Sequence, residues 1–496
     1  MQKVKPLTKE LSKLRDKIHQ YAIDYGLDFY PVIFEMCDYD TVNILAAQGG
    51  FPARYPHWRF GMDYEQLSKS YAYGLQKIYE MVINTSPCYA YLLMANNIVD
   101  QKTVMAHVYG HADFFKNNCW FSSSNRKMMD VMANHGTKVR RYIEKYGQDR
   151  VETFIDQVLS LENLLDPNLL FTSKANSSAN KDMEEFDPLE GASTSLRSFL
   201  SSKLNKNEST QKKVSEKNIE DIKDPFFGGE ITNRDLMKFL MINAPIEEWQ
   251  TDVIAILREE AYYFLPQRMT KIMNEGWASY WHSKIMTQNA LECSEIIDFA
   301  DHHAGVMAMS KTQINPYKIG IELFRDIEHR WDTGKFGKEY TDCTDMEKRE
   351  SWNKSTDLGR KKIFEVRKTH NDLTFIDEFF TREFCERQQL FTSKVDHRTG
   401  KRVIDSREFE KIKSGLLSSL TNFGQPLIEV EGGNYQNRGE LMLNHIYQGT
   451  DLDLSFATET LKNIQGIWKR PVNIKTIQDK KDVILSFDGK EFKINK

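Results

Sequence analysis

The sequence predicts a predominantly helical α+β protein, and three features of its pattern indicate this fold class. Much of the chain before residue 391 carries the apolar spacing of helices, as in residues 103–118 and 249–264. Residues 172–224 are rich in Ser, Asn, Lys and Glu and nearly free of aromatic residues, which is typical of a disordered insertion. From residue 391 onward, short strand-like runs alternate with turn residues.

These changes in composition divide the chain into four regions. Residues 1–171 and 225–390 are expected to form the two halves of a helical core, separated by the insertion 172–224. Residues 391–496 are expected to form a small C-terminal α+β module. A chain of 496 residues is long enough to bury a large core.

The composition excludes several classes of partner and compartment. A formal net charge of -4 gives no general attraction to nucleic acid or to an anionic membrane. The six cysteines form no CxxC pair, and the N-terminal segment lacks the apolar core of a signal peptide. Since no apolar run reaches membrane-spanning length, we expect a cytoplasmic protein without an integral membrane segment.

Within the first region, the apolar spacing predicts helices over residues 7–26 and 64–81 and a helix pair over 128–165. The aromatic and apolar run 88–94 predicts a buried or edge strand just before the helix 103–118. The intervening loop FPARYPHWRFG, residues 51–61, is polar and aromatic, so that it forms either a wall of a site or an aromatic plug on the core.

In the second region, one helix is expected to end before Pro266 and the next to span residues 268–287. The Asn315-Pro316-Tyr317 turn should precede a further helix. The last region should contain hairpins at Thr399-Gly400 and Asp488-Gly489, further strands in PLIEVEGG and RGELMLNHIY, and a helix over 454–468.

The strongest candidate site lies on the helix 103–118. His107 and His111 are four residues apart, which places both imidazoles on one helical face. Two neutral imidazoles in this arrangement can hold a divalent metal, although two hydrogen-bonded core histidines would satisfy the same pattern. Gly110 favours the first interpretation, because a glycine inside a helix costs roughly 1 kcal/mol and indicates a close neighbour beside the backbone.

A second group of polar residues follows the insertion. Glu275, Ser279 and His282 share one face of a predicted helix, and Glu275 stands among apolar and aromatic residues. A buried carboxylate needs a paired charge or a metal, so this residue is either a salt-bridge partner or a ligand. His302 and His303 lie a short distance further along the chain, which favours a shared site.

Several long words make the sequence similar to the stage V sporulation protein R (SpoVR) family. They include RYPHWRFG, YEMVINTSPCYAYL, MAHVYGHADFFKNN, REEAYYFLPQRMTKIMNEGWASYWH, INPYKIG and LIEVEGGNYQNRGELMLNHIYQGTDLDLSFATETLKNIQGIWKRPV. Together they extend over nearly all of the chain except residues 172–224. The resemblance implies a link to the spore cortex, a peptidoglycan layer, or to a stress response. It also implies a serine kinase and a von Willebrand-type protein as partners.

A more distant resemblance concerns the gluzincin metallopeptidases. HVYGHADFF resembles their HExxH helix and MNEGWASYW resembles their NEGFA word. The resemblance implies zinc held by His107, His111 and Glu275, within a zincin-like core that would place a strand before the metal helix. Zinc bound in this way keeps an open position and acts as a Lewis acid.

One departure from that pattern leaves two functions open. Val108 replaces the glutamate that takes a proton in these peptidases. A metal-dependent hydrolase of a peptide or amide bond would need another base, for which Glu260 is the preferred candidate, with His303 as a transition-state hydrogen-bond donor and His282 as a further candidate. The alternative is a non-catalytic scaffold or regulatory protein in the serine-kinase pathway, with a structural metal.

Overall fold

The computed structural model describes residues 4–72, 80–169, 234–308, 315–395, 400 and 402–495, and it confirms a predominantly helical α+β fold. The predicted insertion 172–224 and the turn residue Thr399 lie outside these residues. The described helices are α1 (Lys9–Asp24), α2 (Tyr39–Ala47), α3 (Trp58–Ala72), α4 (Ile98–Asn117), α5 (Met128–Tyr146), α6 (Gln148–Leu159), α7 (Leu236–Asn243), α8 (Glu248–Met269), α9 (Lys271–Ile285), α10 (Ile296–Val306), α11 (Pro316–Thr333), α12 (Gly337–Thr341), α13 (Met346–Glu350), α14 (Gly359–Thr369), α15 (Asp372–Phe379), α16 (Arg382–Arg387), α17 (Phe409–Leu420) and α18 (Leu454–Trp468).

The strands form two small sheets and a separate hairpin. The N-terminal sheet has the order β1-β2-β4-β3 and the C-terminal sheet has the order β11-β10-β9-β8-β7. The strands are β1 (Val4–Pro6), β2 (Val32–Cys37), β3 (Glu80–Ile83), β4 (Cys88–Leu93), β5 (Thr392–Val395), β6 (Arg402–Ser406), β7 (Ile428–Tyr435), β8 (Glu440–His445), β9 (Val472–Gln478), β10 (Lys481–Phe487) and β11 (Phe492–Asn495).

The N-terminal sheet lies against the helix that carries the two histidines. Strand β4 precedes α4 as expected, and of the two predicted alternatives it is the buried one: an interior strand, parallel to β2 and antiparallel to β3. The edge position belongs to β3, where the sequence predicted the end of a helix over residues 64–81. That part of the prediction is wrong because antiparallel pairing of Glu80–Ile83 with β4 outweighs local helix preference.

Helix α9 packs between α4 and α11 at unusually short range. A Cβ atom at Gly110 of α4 would lie 2.7 Å from the Cα of Ala278, so the close neighbour expected beside Gly110 is the backbone of α9. On the opposite side, a Cβ at Gly276 would overlap the backbone of Gly320 in α11. Glycine is therefore required at these crossings for steric reasons.

A buried polar clamp fixes the rotation of α4 against its neighbours. The Asp113 carboxylate accepts hydrogen bonds from the indole of Trp277 at 2.7 Å and from Arg367 at 2.5 and 2.6 Å. It also accepts the backbone N–H of Asp28 at 2.7 Å. One side chain thus joins α4 to α9 and α14, and it does so two residues beyond His111.

Helix α8 continues through Pro266 and ends at Met269, so the predicted end before Pro266 is wrong. The break falls instead at Thr270, which lies between α8 and α9 and has φ -128° and ψ 20°. Helix α9 then begins on a buried carboxylate, because Asp372 accepts the backbone N–H groups of Ile272 and Met273 at 2.8 and 2.9 Å. Acceptors of this kind satisfy the free N–H groups of a first helical turn.

The C-terminal region has the predicted elements. Helix α18 spans the expected residues, and β10 and β11 pair across the Asp488-Gly489 turn. The C-terminal sheet and α18 share one hydrophobic cluster with α5, α6 and α8, whereas α17 packs into the cluster around α4, α9 and α11. None of the described helices is both long enough and apolar enough to cross a membrane.

We expect Gly276→Ala to lower the free energy of unfolding by about 1–3 kcal/mol, because the new methyl group meets backbone that cannot rotate away. Urea unfolding followed by circular dichroism measures this change. The control is Gly415→Ala in α17, where a Cβ has no neighbour within 4 Å. There alanine should stabilise by about 0.5–1 kcal/mol. Equal effects of the two substitutions would contradict the close packing of α9 and α11.

Candidate metal centre

The three residues proposed as ligands meet between α4 and α9. The Nε2 atoms of His107 and His111 each lie 3.5 Å from Oε2 of Glu275. One nitrogen or oxygen atom from each of the three residues falls within 4.8 Å of the others. The helical spacing of the two histidines is therefore realised as expected, with ring centroids 4.4 Å apart.

The geometry of this cluster is suited to a divalent cation. Oε2 of Glu275 is buried and has no hydrogen-bond partner among the described residues, which is costly for a carboxylate oxygen. Two ligands at about 2.0–2.1 Å from one tetrahedral zinc ion are separated by roughly 3.4 Å. The observed separations of 3.5 Å are close to that value. Two imidazoles and a carboxylate also form a donor set typical of zinc.

The outer ring nitrogens of both histidines have defined partners. Nδ1 of His111 lies 2.9 Å from the amide oxygen of Asn274, which directs Nε2 toward Glu275. Nδ1 of His107 lies 2.9 Å from Nδ1 of His282. Contacts of this kind orient metal-binding imidazoles and set their tautomers. The predicted helical face of Glu275 and His282 is thus turned toward α4.

The electrostatics of the site favour neutral His111 and His282 and an ionised Glu275 carboxylate. Burial and the neighbouring His107 lower the pKa of His111 to about 4. Burial also lowers the pKa of His282, with His107 and His303 adding to the effect. Burial raises the pKa of Glu275, but His107, His111 and Lys271 together bring it below its usual value. These are the protonation states that bind metals.

A cavity of about 90 Å³ opens beside His107 and His282. His303 lies on its wall, with Nδ1 3.4 Å from Nε2 of His282. His302 also lines the cavity and contacts the Asp100 carboxylate through Nδ1. Helices α9 and α10 therefore place His282 and His303, two of the three residues predicted for catalysis, beside the candidate metal ligands.

Two further residues of this cavity, Glu80 and Tyr317, were not identified from the sequence. Burial raises the pKa of Glu80, and the Glu275 carboxylate adds to this effect whereas His107 opposes it. Tyr317 stacks against His107 with ring centroids 6.3 Å apart, and the Glu275 carboxylate, followed by burial, raises the pKa of its hydroxyl. Glu80 lies in the word YEMVINTSPCYAYL and Tyr317 in INPYKIG, two of the words that carry the family resemblance. Their presence in these words was the only feature of the sequence that could have identified them as site residues.

The structure does not bring Glu260 to this cavity. Its carboxylate forms a buried ion pair with Arg54 and lies 3.1 Å from Nδ1 of His135, while Glu259 lies 3.3 Å from Nε2 of the same imidazole. The sequence could not distinguish these positions, because the break at Thr270 separates the helix of Glu260 from that of Glu275. In this arrangement Glu260 holds the loop of Arg54 in place.

The predicted loop 51–61 is shorter in the structure, because Trp58 already begins α3. The remaining residues 51–57 form both a buried plug and a wall. Tyr55 and His57 are buried, and the Arg54 guanidinium lies 5.0 Å from the ring centroid of Phe60. The same loop borders a cleft of about 640 Å³ that α8 and the start of α9 close on the other side. Both interpretations of this loop are thus realised in different residues.

Comparison with known proteins gives a family match and one similar curated protein. The model of the SpoVR-like protein family matches residues 6–425 of this chain. The uncharacterized protein YcgB of Escherichia coli strain K12 is 28% identical over 477 residues, which are 91% of this chain and 89% of that protein. No solved structure matches the chain. The family match includes both segments that supply the metal candidates.

We expect the stability contributed by His135 to depend on pH. Burial lowers the pKa of His135, but hydrogen bonds and charges from Glu259 and Glu260 outweigh this effect and raise it to about 9. Because the folded-state pKa exceeds the unfolded value of about 6.5, the contribution is fully present below that value and is lost as the pH rises through about 9. The difference in urea midpoint between wild type and His135→Gln should therefore shrink from pH 6 to pH 10.

The control for this measurement is His329→Gln, since His329 is exposed on α11. Its urea midpoint should stay close to that of wild type at every pH. A His135→Gln difference that is constant from pH 6 to pH 10 would contradict a protonated imidazole between the two carboxylates.

Proposed function

The chain belongs to the SpoVR-like protein family, and we propose that it is a metal-dependent hydrolase of a peptide or amide bond whose metal is bound by His107, His111 and Glu275. The observation that carries the proposal is the convergence of these three residues on one buried carboxylate oxygen without a hydrogen-bond partner among the described residues. Among divalent ions, zinc agrees best with two imidazoles and a carboxylate. When bound, such an ion supplies a Lewis acid.

The residues around the cavity support roles in proton transfer and in hydrogen bonding to substrate. The proposal assigns the base to Glu80 rather than Glu260, because Glu80 lines the cavity beside His107 whereas Glu260 is held by Arg54 and His135. A carboxylate placed there can accept a proton from an attacking water molecule. The Tyr317 hydroxyl and the His303 ring also face the cavity, where each can donate a hydrogen bond to a developing oxyanion.

The cellular setting follows from the family and from the cysteines. The family name supports a link to sporulation, and we extend it to a peptide or amide bond of a cortex precursor or of a stress-response protein. All six cysteines are free thiols, which agrees with a reducing cytoplasm. We retain a serine kinase and a von Willebrand-type protein as proposed partners.

The alternative function is a scaffold or regulatory protein that keeps the metal for stability. One observation favours it: Val108, at the position of the usual peptidase glutamate, is completely buried in the hydrophobic core. The metal helix therefore supplies ligands without a base. The two functions differ in whether Glu80 participates in a reaction, and this difference can be measured.

We expect wild-type protein to bind about one divalent ion per chain and His111→Ala to lose it, because the remaining pair cannot complete a zinc site. Elemental analysis by mass spectrometry after dialysis against zinc measures the stoichiometry. His329→Ala, at an exposed position, is the matched control and should retain the metal. Full occupancy in folded His111→Ala would refute the assignment.

We expect Glu80→Gln to keep the metal but to lose hydrolysis by about 10²- to 10⁴-fold, the usual contribution of a general base. Zinc-loaded wild type is first tested with a panel of peptide and amino-acid amides to find a cleaved substrate. Glu259→Gln is the control, since that carboxylate contacts His135 outside the cavity. A panel without any cleavage, with metal present, would favour the scaffold.

A further inference from the structure

The cleft of about 640 Å³ beside Arg54 is large enough to bind a small ligand or a short peptide. Its walls come from the loop after α2, the start of α3, the end of α6 and the junction between α8 and α9. The lining combines aromatic rings with cationic and anionic side chains. The cations are Arg54, Arg59, Arg268 and Lys271, the carboxylates are Asp63, Glu162 and Glu260, and the rings belong to Tyr55, Phe60 and Phe264.

Most of these charges compensate one another within the walls. Arg54 is paired with Glu260 in a buried contact, and Arg59 lies 3.5 Å from Glu162. His135, whose pKa is raised by its two carboxylate neighbours against the effect of burial, balances Glu259 behind the wall. These pairs add no net charge to the cleft, whose lining also includes the carboxylate of Asp63.

Two cations remain without an ion-pair partner in the described part of the chain. The structure places no carboxylate oxygen within 4.0 Å of Arg268 or of Lys271, which lie three residues apart around the break at Thr270. The Arg268 guanidinium lies over the ring of Phe423, 4.5 Å from its centroid. A stacked guanidinium in this position suits a planar carboxylate.

Lys271 connects the lining of the cleft to the helix that carries Glu275. Lys271 precedes Glu275 by four residues on α9, so the two side chains extend from one helical face a single turn apart. Lys271 is also among the charges that lower the pKa of Glu275 against burial. A ligand that reaches Lys271 from the cleft is therefore about one helical turn from the proposed metal.

We infer that this cleft binds an acidic peptide, with side-chain or terminal carboxylates on Arg268 and Lys271 and apolar parts against Phe60 and Phe264. The inference rests on the proposed function, since it identifies the substrate class that would be presented to the His107–His111–Glu275 site. A peptide is favoured over a compact oxyanion because a cleft of about 640 Å³ is much larger than a single oxyanion, and its lining combines cations with aromatic rings. The aromatic rings suit the apolar parts of a peptide.

The test is fluorescence anisotropy with a fluorescein-labelled Glu-Glu-Glu peptide at low salt. Wild type should bind it, and Arg268→Gln/Lys271→Gln should bind at least tenfold more weakly. The matched control is Lys481→Gln/Lys490→Gln, which removes two exposed lysines of the C-terminal sheet and its turn and should leave affinity unchanged. Equal affinity in wild type and in the Arg268/Lys271 variant would overturn the inference.

Two further measurements separate this inference from related ones. Arg268→Glu/Lys271→Glu should bind a labelled Lys-Lys-Lys peptide more tightly than Glu-Glu-Glu. Such a reversal of charge preference cannot result from misfolding. Displacement of the acidic peptide by an equal concentration of inorganic phosphate would overturn the peptide assignment in favour of a simple oxyanion site. If metal-free His111→Ala still binds the peptide, the peptide site is supported independently of the metal. If metal-loaded wild type does not bind the peptide, the peptide inference is overturned while the metal assignment stands.

Discussion

Close contact between the backbones of α4, α9 and α11 is the constraint on which the candidate site depends. Imidazole and carboxylate side chains are short, so ligands from two helices meet where the helices face each other at close range. Gly110 permits this approach on one side of α9, and the pair Gly276 and Gly320 permits it on the other. The same contacts that close the core therefore bring His107 and His111 to Glu275 and place Tyr317 beside them.

Buried carboxylates then fix the rotation of α4 and the starting point of α9. The ion pair of Asp113 with Arg367 is fully enclosed and is reinforced by Trp277. Enclosed ion pairs contribute little net stability because desolvation offsets attraction, but breaking one partner is expensive. Such a pair disfavours other rotations of α4, and Asp372 has a similar role at the first turn of α9. Polar anchors thus hold the ligands in one arrangement.

The sequence was sufficient for features that depend on local spacing. The helical period placed His107 beside His111 and Glu275 on the face of His282, and turn residues located α18 and the last hairpin. It was insufficient where long-range pairing decides the structure. Strand β3 exists because β4 is beside it, so Glu80 was taken for a helical residue, and α8 continues through Pro266, which is buried by long-range packing. Whether the core is zincin-like stays a prediction.

The position of the base explains why a metal-binding helix does not by itself specify a reaction. In an HExxH helix one element carries both ligands and base, so the two functions are gained or lost together. Here the side chain at that position, Val108, is buried in the core, and Glu80, the carboxylate that lines the cavity, depends on the pairing of β3 with Leu92 of β4. In the proposed function, metal binding and proton transfer would thus belong to separate elements. A structural metal on the helices would not require a base on the strand, so the same architecture accommodates both the scaffold and the hydrolase.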